Sequence, residues 1–343
     1  MRILVADLQA QAPVWRVTPE AIERLRGATP PGWEVRIVQS PTVSDGDGGT
    51  DPSAEVLAAI AEAEVYFGFG ITRRLFLAAS RLRWSHSAAA GVASALFPEM
   101  RSSEVVLTNS AGVHAVPIAE HVLAGILYFL RGFDLAIERQ RRNVWERDAF
   151  VGSRSPMGEV GGRRVVILGT GGVGSEIARR ARALGAECVG VRRRPELGAP
   201  TGFARVVGLS GLGDELPQAD VVVLAAPATE RTRGVMTRER LERLPRRAIF
   251  VNVARGTLVD EEALADLLAA GRLRGAMLDV TAREPLASES RLWQLRSALI
   301  TPHVSAVSPG AFWEREMTLF VENWRRYVGN EPLHNVVDKD EGY

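Results

Sequence analysis

Three residues stand out by type and by place: Arg255 in Val251-Asn-Val-Ala-Arg-Gly-Thr-Leu258, Glu284 in Asp279-Val-Thr-Ala-Arg-Glu-Pro-Leu286, and His303 in Ile300-Thr-Pro-His-Val-Ser305. Each follows a short apolar run that reads as a strand (248–252, 275–280 and 298–301). Ligands of open α/β sheets bind beyond the carboxyl ends of the strands, which is where these three fall. Together they offer a fixed cation, a carboxylate and a titratable imidazole. An arginine can hold a carboxylate with a two-pronged hydrogen bond and polarise a neighbouring carbonyl. A protonated imidazole can give its proton to a developing alkoxide. A carboxylate beside it favours the protonated ring and orients it. Hydride delivery to a 2-oxo acid needs such a set. Taken singly, each also fits a plainer role: a surface arginine, a helix-end acid, a capped loop histidine. Of the other histidines, His86 and His114 sit near the expected cleft and are expected to line it. His121 lies inside an apolar helix, where a core or subunit-contact role is expected, and His334 is in the tail.

The elements that must position these residues begin at Arg163-Arg-Val-Val-Ile-Leu-Gly-Thr-Gly-Gly-Val-Gly-Ser-Glu-Ile-Ala178. Val165 to Leu168 reads as a buried strand, and a helix is expected from Gly172 to about Leu184. Gly169 makes the turn, Gly171 leaves room for a pyrophosphate at the backbone, and Gly174 lets the helix pack closely on the sheet. The helix start then offers free N–H groups and a positive dipole end. A glycine motif alone is weak, but the strand before it, the helix after it and a second strand at 187–191 strengthen it. An acid at the end of that second strand usually binds the ribose hydroxyl of NAD. Here the strand runs into Arg192-Arg193-Arg194, with no acid between Gly190 and Pro195. Guanidinium forks suit a 2′-phosphate, so NADP(H) is expected to be preferred over NAD.

Further strands are expected at 204–207 and 219–225, with helices at 209–216, 238–244 and 260–270, the last capped by Asp260 and ended by Gly271. The N-terminal third reads as a second α/β unit: strands at 2–6, 34–38, 65–69, 82–85 and 105–108, and helices from Thr18-Pro19, at 52–63 and at 72–80. Residues 44–50, rich in Gly and Asp, read as a loop. Ser85-His-Ser-Ala-Ala-Ala-Gly-Val92 is a small-residue loop after a strand, able to turn backbone N–H groups toward a carboxylate; it fits a plain tight turn as well. An apolar helix from Ala115 to about Arg131 leads into the second unit, its apolar girth suggesting burial against another subunit. Residues 139–158 read as a helix end and a surface excursion. A final helix, 310–327, is expected to pack back on the first unit.

Bulk properties agree with a two-domain protein of 343 residues. The net charge of +1 gives no hint of a polyanion partner, and of the 42 basic residues all but Lys339 are arginines interleaved with acids. One cysteine, Cys188, on a predicted buried strand, rules out an internal disulfide and an all-cysteine metal site. No metal site is expected. No leader-like segment or long apolar run is visible, so a cytoplasmic protein without nucleic-acid or membrane partners is expected.

Residues 163–308 resemble the cofactor domain of the D-isomer-specific 2-hydroxyacid dehydrogenases, and Arg192 among them resembles the NADP-using glyoxylate and hydroxypyruvate reductase branch. The matching pieces are Leu168-Gly-Thr-Gly-Gly-Val-Gly174, Pro227-Ala-Thr-Glu-Arg-Thr232, Asn252-Val-Ala-Arg-Gly256 with Asp260 and Glu261, Asp279 with Glu284-Pro-Leu286, and Thr301-Pro-His303. Ala89-Ala-Gly-Val92 resembles the family's substrate loop, and 109–120 its interdomain connection. The resemblance implies two Rossmann-like doubly wound α/β domains. The cofactor domain (112–305) would be inserted into a discontinuous, flavodoxin-like substrate domain (1–111 and 306–343). It implies Arg255, Glu284 and His303 as the catalytic set, and Ala89, Ala90 and Gly91 with Arg255 and His303 around a small 2-oxo or 2-hydroxy acid. Cofactor contacts would come from Gly169, Thr170, Gly171, Gly172, Val173, Gly174, Arg192, Arg193, Arg194, Ala226, Pro227, Thr232, Val253, Ala254, Arg255, His303 and Asp279, the last facing the nicotinamide carboxamide. It also implies a homodimer.

Two departures matter. The aspartate usual after the Gly-Val of the substrate loop is Ala93 here, which puts the loop's support in question. The usual NAD-selecting acid is Arg192. Formate dehydrogenases are similar but carry Gln where this chain has Glu284. A different class of function on this fold is a dinucleotide-sensing, corepressor-like protein without turnover. The intact catalytic set argues against it. The side-chain pocket is expected near 68–71 and 87–90, with Trp313 a further candidate.

Overall fold

The computed structural model describes residues 1–44, 50–153 and 155–342. The chain divides into two compact units, Met1–His114 with Val307–Tyr343, and Ala115–Ala306. The sequence reading put the breaks at 111/112 and 305/306. The loop read at 44–50 has its centre, 45–49, outside the described residues.

Among the described residues fourteen strands follow in chain order: β1 (Arg2–Asp7), β2 (Trp33–Ile37), β3 (Val43–Ser44), β4 (Thr50–Asp51), β5 (Val65–Gly68), β6 (Trp84–Ser87), β7 (Val106–Asn109), β8 (Arg164–Leu168), β9 (Glu187–Val191), β10 (Arg205–Val207), β11 (Val221–Leu224), β12 (Ile249–Asn252), β13 (Gly275–Leu278) and β14 (Ala298–Ile300). In the first unit β2-β1-β5-β6-β7 form a parallel sheet. Thr18 caps the first helix, Pro19–Gly27, accepting from the Ala21 N–H at 3.2 Å. The helix Ala311–Val328 belongs to this unit. Its Phe312, Met317, Phe320 and Trp324 recur at helical spacing and are buried. Phe320 stacks on Phe67 at 3.8 Å between centroids, and Trp324 meets Trp33 at 4.7 Å. Each buried aromatic contributes roughly 1.5–3 kcal/mol, so this last helix is part of the unit's core.

In the second unit seven parallel strands run β10-β9-β8-β11-β12-β13-β14. The order reverses beside β8, a topological switch point. Strand β8 is apolar because both faces are covered: Val165, Val166 and Ile167 are fully buried. The helix Ala115–Leu130 buries Ala119, Val122, Ile126 and Phe129 in its own unit's core. Cys188 lies in the same core, where burial pushes its thiol up to about 11. Asp260 caps Glu261–Ala269 through the Ala263 N–H at 2.9 Å, and Gly271 follows in a left-handed conformation.

Two element readings are corrected. The helix expected at 209–216 is three short turns, Leu209–Gly211, Leu212–Glu215 and Leu216–Gln218, because Gly211, Gly213 and Pro217 interrupt it. The strand expected at 82–85 is Trp84–Ser87, with Ser85, His86 and Ser87 all buried. Among the described residues no single helix is long and apolar enough to cross a membrane.

Candidate active site

At the end of β8 the chain turns at Gly169, whose φ of 102° is open to glycine and whose N–H donates to Val191 O at 2.9 Å. A Cβ on Gly174 would overlap the Gly169 carbonyl, so the helix Gly172–Ala183 starts directly against the turn. A Cβ on Gly171 would meet nothing within 4 Å. Among the described residues no side chain caps this helix start. An open cradle of backbone donors at a helix N-terminus fits a pyrophosphate. Thr170 and Val173 flank it.

Arg192 follows β9, with its N–H bonded to Val207 O and its guanidinium to Gly198 O at 3.0 Å. Arg193 and Arg194 are exposed. Beyond β11, Ala226 is buried and Pro227 exposed. The Thr232 hydroxyl donates to Pro227 O at 2.7 Å and accepts from the Thr229 N–H, closing the 227–232 turn. Val253 and Ala254 are buried at the end of β12.

Asn252, fully buried, shapes the chain at Arg255. Its Oδ1 accepts from the Ala254 N–H and its Nδ2 donates to Arg255 O, each at 3.0 Å. Arg255 is left in an extended conformation, with its guanidinium on Ala254 O at 2.6 Å. Gly256 follows, where a Cβ would overlap Thr281. The Arg255 turn is thereby pressed onto the loop that carries Glu284. The sequence reading used neither Asn252 nor Gly256 in this way; the signal was an Asn followed two residues later by the backbone it bonds.

Glu284 Oε1 accepts from the Thr281 N–H at 3.2 Å, and Glu284 Oε2 lies 2.8 Å from His303 Nδ1. A carboxylate accepts, so Nδ1 carries a proton and Nε2 is the ring nitrogen left for chemistry. The pair is partly open to solvent. His303 adopts a φ of 54°, fixed by its N–H donating to Asp279 O at 2.9 Å. The Asp279 carboxylate is buried and accepts from Thr301 Oγ1 at 2.6 Å, Val304 N at 2.9 Å and Ser305 N at 3.0 Å. Burial alone would push this carboxyl up; the hydrogen bonds from Ser305, Thr301 and Val304 outweigh it and hold the group below the ordinary aspartate value.

Glu261 Oε2 accepts from the Ala282 N–H at 2.8 Å, bracing the same loop. Burial pushes the Glu261 carboxyl up; the Ala282 hydrogen bond opposes this, and the charges of Glu262 and Glu284 add to it. An acid raised in the folded state binds its proton more tightly there, so its share of stability falls as pH rises from its ordinary value through the raised one. Replacing Glu261 by Gln keeps an acceptor for Ala282 and removes the charge. The expected result is a higher Tm near pH 7, by under about 3 °C, with no gain below about pH 4, read by thermal unfolding.

In the first unit the small-residue loop follows β6. Ala88 N–H donates to Gly68 O at 2.8 Å and Ala89 N–H to Ser87 Oγ at 3.2 Å. Ala90 O accepts from Asn109 Nδ2 at 2.8 Å, and Asn335 holds Asn109 in turn. Among the described residues the N–H groups of Ala90 and Gly91 meet no acceptor. With Ala93 in place of an acid, Asn109 supplies support to the loop.

The expectation that His86 lines the site is wrong. It is fully buried, with Nδ1 2.6 Å from Thr108 Oγ1 and Nε2 2.9 Å from Glu316 Oε1. His114 stacks on Phe312 at 5.3 Å. Trp313 is buried, donating from Nε1 to Arg16 O at 2.9 Å. His121, read as a core or interface residue, reaches Thr301 Oγ1 from Nε2 at 3.0 Å.

Residues 123–305 match the family model described as "D-isomer specific 2-hydroxyacid dehydrogenase, NAD binding domain". The chain is 34% identical over 230 residues to the (S)-sulfolactate dehydrogenase of Chromohalobacter salexigens, covering 67% of this chain and 72% of that one. Curated D-3-phosphoglycerate dehydrogenases match too, and the chain spans about half of their length. A D-isomer specific 2-hydroxyacid dehydrogenase from Xanthobacter autotrophicus, solved with NADPH and MES, has a TM-score of 0.79 at 29% identity, covering 100% of this chain and 99% of that one. An NADPH-dependent glyoxylate/hydroxypyruvate reductase from Sinorhizobium meliloti, solved with NADP and sulfate, has a TM-score of 0.77 at 26% identity, covering 100% of each chain. The chain belongs to the D-isomer specific 2-hydroxyacid dehydrogenase family, and is an NAD(P)-dependent oxidoreductase of that kind.

Proposed function

We propose that the protein reduces small 2-oxo acids of the glyoxylate or hydroxypyruvate type with NADPH, giving the D-2-hydroxy acid. The observation that carries this is the His303–Glu284 pair, 2.8 Å apart at the carboxyl edge of the sheet that carries the glycine cradle. The nicotinamide, when bound, supplies the hydride. His303 Nε2 gives the proton to the carbonyl oxygen as it becomes an alkoxide, and Glu284 stabilises the imidazolium and orients the ring. Arg255 holds the substrate carboxylate and polarises the carbonyl. The open N–H groups of Ala90 and Gly91, with Ala89 behind them, are donors suited to a carboxylate. Unit Ala115–Ala306 takes the cofactor role and the other unit the substrate role.

NADPH preference rests on Arg192, Arg193 and Arg194. A 2′-phosphate held by a guanidinium gains a charge-assisted hydrogen bond worth about 1.5–3 kcal/mol, or roughly ten-fold to a hundred-fold in kcat/KM. NADPH and NADH oxidation against a panel of 2-oxo acids checks this. The expected result is turnover with NADPH favoured at least about ten-fold; equal values or an NADH preference would refute the cofactor assignment. Tight cofactor binding without turnover on any acid would favour the sensor. We further take the protein to be a cytoplasmic homodimer. Exposed Phe133, Ile137, Val144, Trp145 and Val151, following the Ala115–Leu130 helix, support self-association.

A further inference from the structure

His121 sits on the helix Ala115–Leu130, one turn before Gly125 on the same face. A Cβ on Gly125 would overlap the Met277 side chain of β13, so the helix lies directly on the sheet there. That close approach brings His121 Nε2 to 3.0 Å from Thr301 Oγ1 and 3.7 Å from Asp279 Oδ1.

The proton positions follow from valence. The 2.6 Å contact between Thr301 Oγ1 and Asp279 Oδ1 uses the one hydroxyl proton of Thr301, because a carboxylate can only accept. His121 Nε2 must then be the donor to Thr301. The chain of donors runs His121 to Thr301 to Asp279. Asp279 in turn holds the turn around His303 on both sides, through Thr301 before it, its own carbonyl on the His303 N–H, and its carboxylate on Val304 and Ser305. His303 has a positive φ and is kept there by these bonds.

We propose that His121 is a positioning residue for His303, acting as an N–H donor through Thr301 and Asp279. It fixes the direction of the Thr301 hydroxyl and thereby the carboxylate on which the His303 turn hangs. Nothing about this role needs His121 to touch the substrate. The inference rests on His303 as the general acid, so the test begins with His303→Ala: retained turnover there fails the functional reading itself, and the His121 inference with it.

With that control in hand, His121→Leu is expected to lower kcat about ten-fold, less than the roughly 10²-fold that a 1 Å misplacement can cost. KM for the 2-oxo acid and for NADPH should stay within about two-fold, because the misplaced proton donor matters in the transition state. His121→Gln, whose amide N–H can stand in for Nε2–H, should recover most of kcat. In a Thr301→Val background, His121→Leu should cost nothing more. A kcat for His121→Leu within two-fold of wild type overturns the proposal. So does a Gln variant as impaired as Leu, or additive losses with Thr301→Val. If thermal unfolding shows that the Leu variant does not fold, Thr301→Val and His121→Gln decide: the first must lower kcat and the second must not.

Discussion

Replacing His303 by Ala is expected to lower kcat by at least about 10²-fold, the low end of what positioned general acid–base groups supply. The geometry adds a control. His303 has a φ of 54°, which alanine adopts at a cost of roughly 1–2 kcal/mol and asparagine tolerates. His303→Asn should therefore melt closer to wild type than His303→Ala, while both lose turnover alike. Steady-state kinetics beside thermal unfolding separates the two effects. If the Asn variant turned over at near-wild-type rate, the proton would have to come from elsewhere.

The second large effect is expected at Arg255. On the role proposed for it, its loss removes the fixed donor at the oxygen where charge develops, a change that costs about 10²–10³-fold where a single such donor has been removed. Arg255→Ala should fall by that order in kcat/KM for the 2-oxo acid. Arg255→Lys should recover little, because a point charge cannot reproduce the two-pronged geometry. A Lys variant equal to wild type would mean that charge alone suffices and that the fork is not used. Asn252 sets the backbone at this position, so the loss should be read beside the melting temperature.

Much of this was legible in the sequence for identifiable reasons. Strands β8, β11 and β12 are continuous apolar runs because both sheet faces are covered, and such runs announce themselves. The glycine turn was legible because a close backbone approach leaves few alternatives to glycine. Arg255, Glu284 and His303 were singled out as candidates by asking which polar residues follow those runs. What stayed hidden depends on partners far away in the chain. His86 looked like a cleft residue because it sits in the loop read after a predicted strand, yet Glu316, 230 positions on, satisfies it in the core. The partner of His121 lies 180 positions away. Asn109 as a support of the small-residue loop after β6 was equally hidden, since nothing local links it to Ala90 or to Asn335.

The last helix of the first unit has a consequence in time. Phe67, Trp84 and Trp33 lie on a sheet whose strands emerge early in synthesis, whereas Phe320 and Trp324, which cover them, emerge after the whole of Ala115–Ala306. At about 5–20 residues per second, the early sheet waits roughly 10–40 seconds for its cover. The part that is made first is therefore finished last, and the inserted unit can complete its own fold on the ribosome before the one that surrounds it in sequence. During that interval a nascent chain carries an uncovered aromatic surface.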